Sequence, residues 1–76
     1  MNETIFRNQR LLLGLTQRDL EEFTGIGQCE ISEYENALKP IGRRRGHRIA
    51  QALRLDISEL FDLESGFALP LIGSRE

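Results

Sequence analysis

Five basic residues between positions 39 and 48 are the side chains with the clearest chemical capacity in this chain of 76 residues. Lys39, Arg43, Arg44, Arg45 and Arg48 share a stretch that contains no acid. Ammonium and guanidinium groups form charge-assisted hydrogen bonds with phosphate oxygens, so this stretch predicts a site for a phosphate-bearing partner. An ordinary solvated charged face is the alternative interpretation.

The acids lie in a different part of the sequence. Residues 16–35 contain six acids and a single base, Arg18, and the whole chain has a formal net charge of −2. A negative total argues against a nucleic-acid partner, because phosphate binders usually carry a basic excess. The segregation of the charges along the chain nevertheless leaves the basic stretch as a candidate phosphate site.

The sequence has no pattern typical of catalysis or of a bound metal. His47 is the only histidine and has no Cys or carboxylate at metal-ligand spacing, so we predict no metal and no cofactor. Cys29, the only cysteine, is interpreted as a small polar contact residue, with a redox role as the alternative. Because the chain lacks a nucleophile–base pair and a phosphate-binding loop, we do not expect an enzyme.

Length and composition indicate one small folded domain. Charged residues of both signs make up 29% of the chain, which argues against disorder. No apolar run approaches the ~20 residues of a membrane-spanning helix, and neither a signal peptide nor a cysteine pair is evident. We therefore expect a cytoplasmic protein with no membrane partner and no evident small-molecule ligand.

Apolar spacing, capping residues and glycines predict four helices and a short fifth one. The predicted helices run from about Glu3 to Leu13, Thr16 to Thr24, Gly27 or Gln28 to Glu35, Arg43 or Arg44 to Leu53, and Asp56 or Ile57 to Phe61. Thr16 and Asp19 have the spacing of a capping box, and Gly25 suits the left-handed conformation that follows a helix. Gly46 lies inside the fourth predicted helix, where glycine costs about 1 kcal/mol relative to alanine.

The segment of residues 63–76 differs in composition from the domain that we predict for residues 1–62. Gly66, Pro70 and Gly73 break helices, while the apolar residues of the segment are Phe67, Leu69, Leu71 and Ile72. We expect a short irregular or extended tail. Its apolar side chains either cover the small core or pair with a second molecule, and we favour self-association.

The predicted helices carry short motifs in a fixed order. They read Gly14-Leu15-Thr16-Gln17-Arg18-Asp19-Leu20, Thr24-Gly25-Ile26, Ile31-Ser32, Tyr34-Glu35-Asn36, Ile49-Ala50-Gln51-Ala52-Leu53 and Ile57-Ser58-Glu59-Leu60-Phe61. Over about residues 5–61 they resemble the Cro/cI-like, XRE-type helix-turn-helix family of phage and bacterial transcriptional regulators. The resemblance implies an all-α fold, a compact bundle of four to five helices of the lambda-repressor-like DNA-binding type.

The resemblance also implies how such a protein contacts double-stranded DNA. The second helix of the helix-turn-helix unit, here residues 28–35, enters the major groove while the first helix braces against the backbone. The residues facing the bases would be Gln28, Cys29, Ser32 and Glu33, and those contacting phosphates would be Thr16, Gln17, Arg43, Arg44 and Arg45. Arg10 and Glu35 match a pair that joins the first and third helices in some family members.

Several residues depart from the family pattern. Glu21 replaces a small residue where the second and third helices pack closely, and Gly27 replaces a Ser or Thr cap. Phe23 replaces an exposed polar residue, so it either folds back into the core or forms an interaction surface. Glu30 and Glu33 lie on or beside the face that approaches DNA, where a carboxylate accepts a hydrogen bond from cytosine but repels a phosphate.

Two hypotheses for the function follow. The first is a sequence-specific DNA-binding regulator of a phage or mobile element that binds a palindromic operator as a homodimer. The second is an interaction module, such as an antirepressor or lysogeny modulator, whose acids Glu21, Glu22, Glu30 and Glu33 bind the basic surface of another regulator. The arginines favour the first hypothesis, with the alternative for Arg48 of pairing with an acid of the third helix.

Overall fold

Five helices follow one another along residues 3–71, the part of the chain that the computed structural model describes. They are α1 (Ile5–Leu12), α2 (Gln17–Thr24), α3 (Gln28–Glu35), α4 (Arg43–Leu53) and α5 (Ile57–Leu60). Within residues 3–71 the only extended pairing consists of two isolated β-bridges, so the predicted all-α bundle is confirmed. No helix in this range is long and apolar enough to cross a membrane.

Side-chain caps explain where the helices begin. Thr4 accepts a hydrogen bond from the backbone N–H of Arg7, which makes Ile5 the first residue of α1, later than the sequence predicts. Thr16 and Asp19 form both hydrogen bonds of the capping box that precedes α2. Gly25 follows α2 in the left-handed conformation, with φ 78°.

Apolar residues from every helix meet in one core. The fully buried side chains include Phe6, Leu20, Ile31, Ile49, Leu53 and Leu60. Phe61, directly after α5, meets Phe6 edge to face, with ring centroids 5.9 Å apart and ring planes at 86°. Because aromatic pairs in this arrangement add about 0.5–1.5 kcal/mol beyond the area they bury, the pair fastens the end of the bundle to α1.

Gly46 lets α5 pack closely on α4. A Cβ atom at this position would lie 2.6 Å from Cδ1 of Ile57 and 3.7 Å from Cγ2 of Ile41. The first of these distances is shorter than van der Waals contact permits. The glycine that weakens α4 as a helix therefore makes room for the first residue of α5.

The segment after α5 folds back along the N-terminal end of α1. The two isolated bridges join Phe61 to Ala68 and Thr4 to Pro70. Ala68 is 6% exposed and belongs to the core, and the N–H of Ile5 donates a hydrogen bond to the carbonyl oxygen of Leu69. Through Ala68 this segment covers one end of the core.

Several apolar side chains stay on the surface. Phe67 and Leu71 are each 38% exposed, and Leu69 is half-buried. Phe23 is 65% exposed and lies beside Leu13, Leu15 and Ala52, so it does not fold back into the core. Ile72, which we grouped with the tail residues, lies outside the residues that the structure describes.

Candidate nucleic-acid interface

The unit formed by α2, α3 and the turn between them is the centre of the candidate site. Leu20, Ile26 and Ile31 are at most 2% exposed and fill the angle between the two helices. Gly27 precedes α3 as an N-cap without a side-chain hydrogen bond. Because Ile31 and Glu35 lie one turn apart and both point inward, the opposite face of α3 is turned toward solvent.

The outer face of α3 brings together the predicted base-facing residues. Gln28, Cys29 and Glu33 are exposed, and Ser32 is half-buried. Asn36, the C-cap residue, donates from Nδ2 to the backbone carbonyl oxygen of Ser32 at 2.9 Å. The amide, thiol, hydroxyl and carboxylate groups on this face supply the donors and acceptors that reading of base edges requires.

A buried carboxylate fastens the inner face of α3 to the rest of the fold. Glu35 is 0% exposed, and its two carboxylate oxygens accept hydrogen bonds from Nε and Nη2 of Arg10 at 3.0 and 2.9 Å. Gln17 donates to the same carboxylate from Nε2 at 3.2 Å. Thr4 donates its hydroxyl to the backbone carbonyl oxygen of Glu35 at 2.7 Å. One residue of α3 therefore joins α1, α2 and the segment before α1.

The residues predicted to contact phosphates at the start of α2 have partners within the protein. Gln17 is half-buried and uses one N–H of its amide on Glu35, so the second N–H remains to donate to a phosphate oxygen. The hydroxyl of Thr16 accepts from the N–H of Asp19 at 3.0 Å, which leaves its own hydrogen as a donor. Both side chains are thus oriented by the fold and keep one donor each.

The two acids on or beside the outer face of α3, Glu33 and Glu30, have cationic partners. Glu30 accepts from Nη1 of Arg45 at 2.8 Å, and the ammonium of Lys39 lies 3.4 Å from carboxylate oxygens of both Glu30 and Glu33. Arg45 also donates to the hydroxyl of Tyr34 at 2.9 Å, and Lys39 lies 5.5 Å from the centre of the Tyr34 ring. We name these five residues the α3–α4 charge cluster.

The α3–α4 charge cluster raises the pKa of both of its cations. For Lys39 the largest cause is the hydrogen bond to Glu30, which partial burial opposes. The pKa of Arg45 is raised chiefly by its hydrogen bond to the hydroxyl of Tyr34, with the charge of Glu30 adding to the effect. A raised pKa favours the protonated form, so Lys39 is charged at neutral pH, and its contribution to the pairs is lost as the pH rises through its folded-state pKa.

The basic stretch is divided between solvent and the fold. Arg43 and Arg44, the first residues of α4, are exposed, whereas Arg45 is engaged by Glu30. Arg48 donates from Nη1 to the carbonyl oxygen of Thr24 at 3.5 Å. The prediction that Arg48 pairs with an acid of the third helix is wrong. Arg48 lies about 4.5 Å further along α4 than Arg45, beside the end of α2, where the carbonyl oxygen of Thr24 has no partner within its own helix.

Sequence reasoning did not identify Lys39 and Tyr34 as parts of one cluster with the acids of α3. Lys39 was counted only within the basic stretch, and Tyr34 is a buried residue with an outward-reaching hydroxyl. A signal for the pairing was present in the segregation of charge. The six acids of residues 16–35 are followed by the five bases of residues 39–48, and opposite charges on neighbouring elements attract each other.

The remaining reactive side chains do not assemble a second site in the described range. Cys29 and His47 are both exposed. Among residues 3–71, no group of three or more His, Cys, Asp or Glu side chains is arranged to hold a metal ion.

The order of the helices and the fastening of α3 define a helix-turn-helix domain. The model of the family described as helix-turn-helix matches residues 6–60, which reach from α1 to the end of α5. The chain therefore belongs to the XRE-type, Cro/cI-like helix-turn-helix family, whose members are DNA-binding regulators. Searches of the curated proteins and of the solved structures give no significant match.

Proposed function

We propose that this protein is a transcriptional regulator that binds a specific DNA sequence by placing α3 in the major groove. The observation that carries the proposal is the division of α3 into two faces. Glu35 holds the inner face, and Gln28, Cys29 and Glu33 are exposed on the outer one. A reading helix needs this combination, because paired hydrogen bonds to base edges require both a fixed orientation and accessible side chains.

Each group on the outer face has a base-edge partner that its chemistry fits. Gln28, at the first position of α3, pairs with adenine through N6 and N7, and Glu33 accepts a hydrogen bond from N4 of cytosine. Cys29 and Ser32 lie between them on the same face and contact either base edges or the thymine methyl group. The sequence preference of the protein resides in these four residues.

The phosphate contacts fix the position of the protein on the duplex. Thr16 and Gln17 contact one phosphate at the start of α2, where the helix N-terminus also favours an anion. Arg43 and Arg44 contact phosphates from the start of α4, and Arg45 joins them when it leaves Glu30. These contacts supply affinity without sequence information.

We propose further that the protein acts as a homodimer on a palindromic operator of a phage or mobile element. Helix-turn-helix dimers bind two half-sites about one helical turn apart. Phe67, Leu71 and Phe23 provide exposed apolar surface that such pairing can bury.

The alternative is an interaction module that binds another regulator through its acids. Glu22 is exposed and Glu21 is half-buried on α2, so both carboxylates are accessible to a basic partner. Glu30 and Glu33, however, are paired with Lys39 and Arg45. The acidic surface is therefore smaller than the sequence indicates, and we favour DNA binding.

The test is binding of the purified protein to its own promoter region, measured by fluorescence anisotropy at several salt concentrations. Gln28→Ala should weaken specific binding by about 1–3 kcal/mol and relax the preference at one base pair. Arg44→Ala should weaken binding to every sequence and reduce the slope of log K against log salt by about 1. Arg54→Ala, which removes the same charge from the other end of α4, is the matched control.

Three outcomes decide between the hypotheses. Loss of the specific complex in both variants but not in Arg54→Ala supports reading by α3. Specific binding that both variants retain, or an affinity that does not fall with salt, contradicts the proposed interface. Absence of any complex with promoter DNA, together with co-purification of a second regulator, would favour the interaction module.

A further inference from the structure

The α3–α4 charge cluster joins two strong phosphate ligands to acids of the reading helix itself. Nη1 of Arg45 lies 2.8 Å from Oε1 of Glu30, and Nζ of Lys39 lies 3.4 Å from oxygens of Glu30 and Glu33. Each N–H that points at a carboxylate is not available to a phosphate. Because an Arg has five N–H donors and a Lys has three, some donors stay free, but a phosphate that uses the paired donors must exchange with the carboxylate, which also competes for the charge of the cation.

The pairs of the cluster are exposed enough for this exchange. The side chains of Lys39 and Arg45 are 39% and 45% exposed, and those of Glu30 and Glu33 are 37% and 48% exposed. Ion pairs at such positions contribute little to stability because water screens them. A phosphate placed close by can replace the carboxylate without disturbing the buried core.

The loop that carries Lys39 is itself held in place. The N–H of Leu38 donates to the carbonyl oxygen of Glu33 at 2.8 Å, and the N–H of Ile41 donates to that of Gly66 at 2.9 Å. Both neighbours of the Lys39–Pro40 segment are thus fixed to the bundle. The exchange is therefore a change of side-chain partner and does not require the loop to move.

We propose that Glu30 and Glu33 are specificity-determining residues, which compete with DNA phosphates for Lys39 and Arg45 until α3 is seated at a matching sequence. This inference rests on the proposed DNA binding. On a non-specific duplex nearly all affinity comes from phosphate contacts, and the acids compete for the cations that would form them. At the operator, Glu33 accepts from cytosine and releases Lys39, while the other base contacts bring the phosphates within reach of Arg45.

The acids consequently lower non-specific affinity more than specific affinity. In the free protein the charges of Glu30 and Glu33 are balanced by Lys39 and Arg45, and at the operator Glu33 gains N4 of cytosine as its partner.

The test compares Glu30→Gln with Glu22→Gln, an equal loss of charge at an exposed position of α2 that has no ion pair among the described residues. Binding of each variant to a random-sequence duplex and to the operator is measured against salt. Glu30→Gln should strengthen non-specific binding by about threefold more than the control does, and should steepen the salt slope by about 1–2 because one or two cations gain phosphate contacts. The ratio of specific to non-specific affinity should fall.

A second set of variants separates the cluster from a general effect of charge. In a background with Lys39→Gln and Arg45→Gln, the change Glu30→Gln should have no more effect than Glu22→Gln. Tyr34 provides an independent readout, because it is the only tyrosine and both cations lie against it. In an NMR titration of the wild type with operator DNA, the ring signals of Tyr34 should shift as the cations leave. In the DNA-free Glu30→Gln variant, these signals should already lie closer to their DNA-bound positions.

The outcomes distinguish this inference from the function on which it rests. If the wild type binds its operator but Glu30→Gln and Glu22→Gln change non-specific affinity and salt slope equally, the inference is overturned and the proposed function stands. If neither the wild type nor Glu30→Gln binds any duplex, both are overturned.

Discussion

The chemistry of Glu35 shows what a single buried charge requires. Removing a carboxylate from water costs several kcal/mol, and only close partners offset that cost. Arg10 supplies two hydrogen bonds, Gln17 supplies a third, and Nη1 of Arg7 lies 3.5 Å away. In residues 3–71 no buried side-chain nitrogen or oxygen lacks a hydrogen-bond partner. The network is complete, so the loss of one member leaves another uncompensated.

The variant Glu35→Gln should lower the free energy of unfolding by about 3–5 kcal/mol, because Arg10 stays buried without its counter-charge. Urea unfolding followed by circular dichroism measures the loss. The exposed control Glu22→Gln should stay within about 0.5 kcal/mol of the wild type. A similar, small change in both variants would show that the network does not stabilise the position of α3.

Only part of this network could be predicted from the sequence. The family pattern implied that Arg10 and Glu35 pair. It contained nothing about Thr4, whose hydroxyl reaches a carbonyl oxygen 31 positions away, or about the amide of Gln17. Such contacts depend on how the helices are placed in space, and neither residue type has a strong preference for them.

At the scale of elements, local chemistry made the helices predictable. The capping box of Thr16 and the left-handed Gly25 are short-range features, so the bounds of α2 follow from a few neighbouring residues. Gly46 shows the limit of this reasoning. The sequence indicates only a weakened helix there, because the reason for the glycine lies in α5, at Cδ1 of Ile57.

The pair of Gly46 and Ile57 can be tested with a double-mutant cycle. Gly46→Ala alone gains about 1 kcal/mol of helix propensity but loses about 1–3 kcal/mol to crowding, so it should be destabilising or near neutral. With Ile57→Val, which removes Cδ1, the same alanine should become stabilising relative to that background. Urea unfolding of the four proteins gives the coupling. Strictly additive effects would contradict the packing explanation.

At the scale of the whole molecule, the tail connects parts that are distant in sequence. Gly66 accepts a hydrogen bond from the N–H of Ile41, and residues 68–71 lie against the start of α1. The sequence left two roles open for this segment, because an apolar tail suits both the cover of a core and the self-association that we favoured. Only the three-dimensional position of Ala68, which is buried in the core, shows that the segment covers the core.

Gly66→Ala and Gly14→Ala form a matched pair that measures how much the packing of the tail against Ile41 contributes to stability. Both glycines have a positive φ, of 82° and 72°, which costs an alanine about 1–2 kcal/mol. A Cβ atom at Gly66 would also lie 2.9 Å from the backbone oxygen of Ile41, whereas one at Gly14 meets nothing within 4 Å. Gly66→Ala should therefore be more destabilising by about 1–3 kcal/mol in urea unfolding. Equal losses of unfolding free energy would show that the tail moves away from the added methyl group without loss of stability.

The two faces of α3 also have a consequence for the way this protein diversifies. Gln28, Cys29 and Glu33 take part in none of the buried hydrogen bonds or core packing of the described residues. With the binding mode proposed above, new operator preferences can therefore arise in single mutational steps without passing through a misfolded intermediate. Descendants of this chain should vary at the outer positions as quickly as their binding sites drift, while Glu35 and Arg10 stay invariant. For the same reason, a designer can transplant a different reading surface onto this scaffold and retain its fold.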